Sequence, residues 1–505
     1  MSAYIENGLY GIENAEGLPD RERDRIRNLV KIYNFHITGN ETKNKYYEGR
    51  VSLSEVNLGI ALPKNFNKLE IGCEWGAKCV DVLASRSVFD GFVGSDGTDA
   101  ELITRIVDDN NLISEYQKAC KDELKYGCTF ATLTKMGEDG CSIRFHTPET
   151  AAAMWDGVNR RIECGFAIID TVLDALKMSY VPTLVYYYTD DAVWELVRNG
   201  SLWMANMHPH KMGRPLMEPL VWGATSGKPF GRSRLKRSTR RLIDGYIRTI
   251  ANATIALEFS TAPQKYILGV TDAQYAQIIN DKFKQYVGSM LASTYNPESG
   301  EKPTVGQFQQ GSLTPHVEMM RILATQFSAA TGLTVTDTGV VNDANPTSSD
   351  AILAQSQTLV SMAEQLNESN GHSLRMIAMM AQAIARDVTL EELTDKERNV
   401  IAHFRNPAMP SLSVTADAAI KVASARQEFA STDIFLEMIG FDQADIRRIR
   451  AQEQRARGQQ LLLEEFSNDN NGSGVEEVRG QAGKGESEGS GTDAGVRGQE
   501  RPGQT

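Results

Sequence analysis

No stretch of about 18 residues in this 505-residue chain is free of charged side chains, and an apolar run of about that length is what a helix needs to cross a bilayer. The first residues, MSAYIENGLYGIENAEGLPDRERDR, carry no apolar core behind a basic start, so neither export nor membrane insertion is expected. Cysteine is scarce: Cys73, Cys79, Cys120, Cys128, Cys141 and Cys164 form no CxxC pair. Reduced core thiols, folded in a reducing compartment, are the expectation. Nor is there an excess of basic charge. A formal net charge of -12 argues against a protein that coats nucleic acid, since such surfaces gain affinity by neutralising phosphates with Lys and Arg. Contact with nucleic acid, if present, is expected to be local.

Catalytic signatures are missing too. There is no GxxxxGK[ST] phosphate loop, no GxSxG elbow, no HExxH and no GxGxxG ahead of a helix. No enzyme and no cofactor are expected on this ground. His208-Pro209-His210 lacks nearby Cys or carboxylate partners and reads as a loop pair rather than a metal site. With 65 acidic residues in the chain, the pairs Asp108-Asp109 and Asp190-Asp191 read as surface turns. The run Tyr186-Tyr187-Tyr188 alternates faces in a strand, so Tyr187 points away from the other two and a base-stacking platform is disfavoured.

What is present is an α+β pattern followed by long helices. Residues 1–228 mix helical patterns at Ile26 to Tyr33, Trp75 to Phe89 and Asn111 to Tyr126 with short strands. The strands are at Cys128 to Lys135, Ser142 to His146, Ile162 to Asp170, Leu184 to Thr189 and Val193 to Val197. After Pro229, Leu235, Leu242, Ile243, Tyr246, Ile247, Ile250, Thr254 and Leu257 recur at steps of three and four. That stripe predicts an amphipathic helix from Phe230 to Glu258, roughly 43 Å long. Between Arg232 and Arg248 it carries seven basic side chains against one acid, Asp244.

A turn-rich insertion follows, with YNPESGEKP at Tyr295 to Pro303, then a second helix at Leu313 to Thr331. Gly332 to Ser349 is small and polar. Another long helix runs from Asp350 to about Arg386, with an interruption expected near Asn370 and Gly371. Beyond Pro407 and Pro410, helices are predicted at Ala416 to Phe429, Ser431 to Ile439 and Asp442 to Phe466. Ser431 and Asp442 are expected N-caps and Gly440 a C′ glycine. The last 39 residues hold 10 glycines and no aromatic residue, a composition that predicts disorder.

Several stretches in order carry a resemblance. These are Tyr46-Tyr47-Glu48-Gly49, WGAKCVDVLASRSVFDGF from Trp75, DELKYGCTF from Asp122, Thr147-Pro148 with Met154-Trp155-Asp156, Gly231-Arg232-Ser233, and Pro263-Gln264 before Gly269. From Asp24 to Phe466 the chain resembles a portal protein of tailed double-stranded-DNA bacteriophages, of the long-tailed type. The resemblance implies a homo-oligomeric ring of twelve subunits at one capsid vertex, conducting double-stranded DNA. Its implied partners are the terminase large subunit, major capsid and scaffold proteins, and the head-tail connector, with no membrane.

In that layout 1–228 is an α+β wing, 229–260 and 313–331 are stem helices, and 261–312 is the clip between them. The segment 332–349 holds the tunnel loop, 350–412 returns to the wing, 413–466 is a helical crown and 467–505 a tail. Implied DNA-facing residues are Gly339, Asn342, Asp343, Asn345, Thr347 and Ser348. The stem and subunit interface would use Arg234, Arg237, Arg241, Leu242, Tyr246 and Ile250, and the clip would dock its partners through Tyr295, Glu298, Glu301 and Lys302. Outside this layout stand a nucleic-acid-processing nuclease or ATPase, and a minor capsid protein without a channel.

Twelve helices about 9 Å apart enclose a bore near 24 Å, wide enough for a duplex about 20 Å across. The basic residues of twelve copies sum to roughly 72 charges, against about 25 phosphate charges over the same length of DNA. Such a lumen would clamp its cargo. Most of Arg232 to Arg248 are therefore expected to face neighbouring subunits, acidic partners or the capsid rim.

Overall fold

The computed structural model describes residues 8–52, 71–94, 101–137, 140–174, 179–261, 265–268, 304–307, 311–339, 349–408, 412–441 and 443–469. After a short turn the chain forms α1 (Asp20–Tyr47), α2 (Trp75–Ala84), β1 (Phe89–Gly94), α3 (Glu101–Asp109) and α4 (Leu112–Tyr126). Eight strands follow: β2 (Cys128–Met136), β3 (Gly140–His146), β4 (Ala151–Asp156), β5 (Arg161–Asp174), β6 (Ser179–Tyr188), β7 (Ala192–Asn199), β8 (Leu202–Pro209) and β9 (Met217–Val221). Then come α5 (Arg237–Thr261), the pair β10 (Lys265–Leu268) and β11 (Thr304–Gln307), α6 (Thr314–Thr331) and α7 (Ser349–Arg386). The chain continues through α8 (Asp395–Arg398), β12 (Val400–Phe404), α9 (Leu412–Ala425), α10 (Asp433–Ile439) and α11 (Gln443–Asp469). The class is α+β, as the sequence predicts.

Two antiparallel sheets form the body, a five-stranded one ordered β4-β5-β6-β7-β8 and a three-stranded one ordered β3-β2-β9. Strand alternation decides how they pack. Val185, Tyr187, Phe166, Trp194 and Trp203 lie on one face of the larger sheet, where Ile26, Leu29 and Tyr33 of α1 cover them. Tyr188, Ala167 and Val193 belong to the other core, with Leu216 and Met217. The tyrosine run thus divides between two cores, Tyr187 in one and Tyr188 in the other. All six cysteines are buried and unpaired.

Several element boundaries differ from the sequence reading, each for a tertiary reason. The helix at Trp75 stops at Ala84, because Phe89 enters a strand paired with Phe404. The long helix starts at Arg237 rather than Phe230, because the preceding backbone bonds elsewhere: Arg232 N–H donates to Trp222 O and Arg234 N–H to Leu124 O. Gly231 there has φ +63 and lies so close to Trp222 O that a Cβ would be 2.1 Å away. α7 runs unbroken through Asn370 and Gly371. Asn370 is fully buried and its amide donates to Glu123 Oε2 (2.8 Å) and the Tyr116 hydroxyl (3.0 Å), so a polar residue read as a break is a core contact. Burial pushes the Glu123 carboxyl up to about 8, against the opposing Asn370 hydrogen bond. Thr432, not Ser431, caps α10, accepting from Phe435 N–H, while Gly440 sits at its C-terminal end as predicted. Asp442, and the tail from 470 onward, lie outside the described residues.

The junction of α1 and α2 gives a sharp test of this packing. A Cβ on Gly76 would lie 2.0 Å from the Tyr46 carbonyl oxygen, a backbone atom that no side-chain rotation can move. Overpacking against flexible neighbours costs about 1–3 kcal/mol, and a backbone clash stands at or above the top of that range. Gly76→Ala is expected to lower the thermal midpoint of the full chain by several degrees. A midpoint equal to that of the wild type would show that α1 and α2 do not meet here.

Candidate channel and assembly site

The α5 and α6 helices pack against each other as a two-helix arm, with the antiparallel strands β10 and β11 between them in sequence. Gly245 of α5 makes close approach possible: its Cβ position is 3.2 Å from Leu323 Cδ2 of α6. Ile243, Ile247 and Ala251 are buried on α5, and Leu323, Ala324 and Phe327 on α6, so the predicted three-and-four stripe faces the core and the partner helix through Ile250, whereas Leu257 near its far end is 48% exposed.

Where the arm joins the body, three aromatic rings converge. Trp75, the first residue of α2, stacks on Tyr246 of α5 at 4.1 Å between centroids and packs against Phe327 of α6 at 4.8 Å. Its indole N–H donates to Thr338 O at 3.0 Å. Thr338 ends a short 3-10 turn, Thr336–Thr338, held by Asp337: its carboxylate accepts from Thr334 N–H (2.9 Å) and the Thr334 hydroxyl (2.8 Å). The start of the polar segment after α6 is therefore fastened to the body, with Leu333 and Thr338 buried. Gly339 is exposed just beyond this fastening. Asn342, Asp343, Asn345, Thr347 and Ser348 lie outside the described residues, as do Tyr295, Glu298, Glu301 and Lys302.

Arg234 is the largest departure from the sequence reading. Expected at a subunit interface, it is buried inside its own chain at 6% exposure. Its guanidinium donates to Cys79 O of α2 (2.6 Å) and Thr331 O at the end of α6 (2.5 Å), approaches Met362 Sδ of α7 (3.6 Å), and lies over the Trp222 ring at 5.7 Å. Five planar donors suit such a junction, and the open carbonyl at the C-terminal end of α6 favours a cation. The motif Gly231-Arg232-Ser233 next to it is likewise structural: the Ser233 hydroxyl donates to Lys125 O (2.5 Å) and accepts from Leu235 N–H (2.9 Å). No sequence pattern separates a buried arginine from an exposed one in so basic a stretch.

The other basic residues are distributed unevenly. Arg232, Lys236, Arg237 and Arg241 are exposed on the subunit. Arg240 lies over the Tyr46 ring at 5.5 Å. Tyr46 in turn donates its hydroxyl to Asp244 at 2.6 Å, tying α5 to α1. Burial raises the Asp244 carboxyl, opposed by that hydrogen bond and by Arg240, Arg241 and Arg248. Leu242 and Tyr246 pack partly against the subunit's own core, and Ile250 is half-buried. His403 of β12 faces Glu437 of α10 at 3.5 Å, linking the C-terminal helices to the body.

Among the described residues no group of three His, Cys, Asp or Glu side chains is placed to hold a metal ion. His208 instead faces Glu195 on the neighbouring strand at 3.5 Å. No described helix is long and apolar enough to cross a membrane.

No curated protein matches this chain in sequence. Among solved structures it is similar to a chain in the virion of a native gene transfer agent particle. The two are 12% identical, over 73% of this chain and 89% of that one, with a TM-score of 0.42. It is also similar to a chain in the neck of an empty gene transfer agent particle computed with C6 symmetry, again at 12% identity. That match covers 78% of this chain and 98% of the other, with a TM-score of 0.44. A family model does carry weight: that of the phage portal proteins of the SPP1 Gp6-like type matches residues 20–459, which include the body, the α5–α6 arm, α7 and most of the C-terminal helices. The chain belongs to the phage portal protein family.

Proposed function

We propose that the chain is the subunit of a closed twelve-membered ring at one vertex of a virion capsid, through which double-stranded DNA enters during packaging and leaves at ejection. The observation that carries this reading is the family match over residues 20–459, which spans arm and body together. In it α5 and α6 are the stem, the segment after Gly339 lines the tunnel, and the region between β10 and β11 is the clip. The terminase large subunit docks there first and the head-tail connector afterwards. Major capsid and scaffold proteins surround the body. The chain acts as a conduit and not as a catalyst.

Fastening of Leu333 to Thr338 supports the tunnel role, because a DNA-touching loop needs a fixed root. The residues proposed to follow, including Asn342, Asp343 and Asn345, bring no Lys or Arg, and Asn side chains hydrogen-bond phosphates without neutralising them. Such a surface suits sliding.

Native mass and end-on electron microscopy of the purified full-length protein test the reading. Twelve chains of 55.7 kDa repeat one heterologous contact until it closes, so a single species of about 670 kDa with a central hole is expected. A monodisperse monomer or dimer at micromolar concentration would refute self-assembly into a ring.

A further inference from the structure

A cyclic ring needs two different, complementary surfaces on each subunit, one for each neighbour. The layered body carries two apolar patches that point in opposite directions. On α1, the residues Ile26, Leu29 and Tyr33 face the five-stranded sheet. Asn28, Ile32, Phe35 and Gly39 recur at steps of four, three and four on the other side of the helix, and all are exposed. Phe35 is 81% exposed and, with Ile32, makes the apolar part of this stripe. Beside this stripe lies a cavity of about 380 Å³, lined by Ile32, Tyr33, His36, Phe130 and Phe230 among others.

The second patch is on the reverse face of the same sheet. Trp203 of β8 points toward α1, so alternation turns Leu202 and Met204 the other way. They are 71% and 46% exposed. Val197 lies opposite Met204, and Leu184 opposite Val197, so the apolar surface continues across β8, β7 and β6. Glu195 stands in this surface between Tyr186 and Asn206 and 3.5 Å from His208, whereas Lys31 and Arg27, the latter paired with Asp24 at 2.7 Å, flank the α1 stripe. Lys31 on one patch and Glu195 on the other are the opposite charges that such a contact can bring together.

We propose that the outer stripe of α1 in one subunit packs on the Leu184, Val197, Leu202 and Met204 face of the next, with Phe35 as its anchor. This contact rests on the ring reading and names the surface that closes the ring around the body, away from the arm. The α1–sheet layering sets the two patches back to back, so each subunit presents one to either neighbour and no symmetric dimer satisfies them.

The test uses the full-length chain with Phe35→Cys and Met204→Cys. All six native cysteines are buried and should not compete. Treated with a short bismaleimide, the double variant is expected to give a covalent ladder on a denaturing gel, ending at the full ring. Each single variant alone is expected to stay monomeric on the same gel, and a mixture of the two singles should give dimers only. Phe35→Glu should shift the native species from ring to monomer while the monomer still unfolds in one cooperative thermal transition. A protein that forms rings by native mass but gives no ladder overturns the contact while leaving the ring intact. Dimers from one single variant overturn it in favour of a symmetric contact. A wild type that is monomeric by native mass overturns both readings.

Discussion

Arg234→Ala is expected to destabilise the subunit by about 4 kcal/mol, seen as a lowered midpoint in chemical denaturation, and to do so before any assembly is measured. The size follows from what the guanidinium touches. Removing it leaves the Thr331 carbonyl at the end of α6 buried without a donor, an orphan that costs about 1–3 kcal/mol, and takes from Cys79 O its second donor beside the helical one. A cavity opens as well between α2, the end of α6 and α7, under the Trp222 ring. Arg234→Met fills much of that space but supplies no donor, and should recover the smaller part of the loss. Arg234→Lys restores one charged donor and should recover more. An arginine serving only a subunit interface would behave in the opposite way: Arg234→Ala would keep its midpoint and fail to assemble. That outcome would refute the internal role.

Trp75→Ala should cost about as much, roughly 3–5 kcal/mol, because it removes a fully packed indole from between Tyr246 and Phe327. Trp75→Phe separates packing from hydrogen bonding. It keeps a ring in the stack but leaves Thr338 O without its donor, a loss of about 1–3 kcal/mol localised at the root of the polar segment. Limited proteolysis after Gly339 is the sensitive measurement. Faster cleavage of Trp75→Phe than of the wild type, with a much smaller change in overall stability than Trp75→Ala, is expected. Equal cleavage rates would show that Trp75 does not fasten this segment. If the segment lines the channel as proposed, the same variant should slow DNA packaging while leaving ring formation intact.

Gly76, Arg234 and Trp75 meet around one junction of α1, α2, α5 and the end of α6. It joins the body to the proposed stem and to the root of the proposed tunnel loop, so a movement of one is felt by the others through rigid, buried contacts. The Glu123, Asn370 and Tyr116 cluster fixes α7 to α4 in a similar way. Such a packed junction suits the proposed ring, in which arm and loop would hold their positions while DNA passes.

Periodicity alone determined much of this protein. The step of three and four from Leu242 to Ile250 in α5, the alternation through Tyr186 to Tyr188, and the C′ glycine at Gly440 are local signals, and the folded chain uses each as the sequence predicts. So did the ordered motifs that pointed to the portal family, since residue identity and order survive without knowledge of contacts. Tertiary structure decided the rest. Only packing shows that α5 begins at Arg237, because the donors of Arg232 and Arg234 go to Trp222 and Leu124 rather than into a helix. Only packing separates Arg234, buried against three helices, from Arg237 and Arg241 on the surface, and turns Asn370 from an apparent helix break into a core hydrogen bond. The physical reason is the same in each case: a backbone donor or a buried charge is satisfied by a partner that is distant along the chain, and periodicity carries no information about that partner.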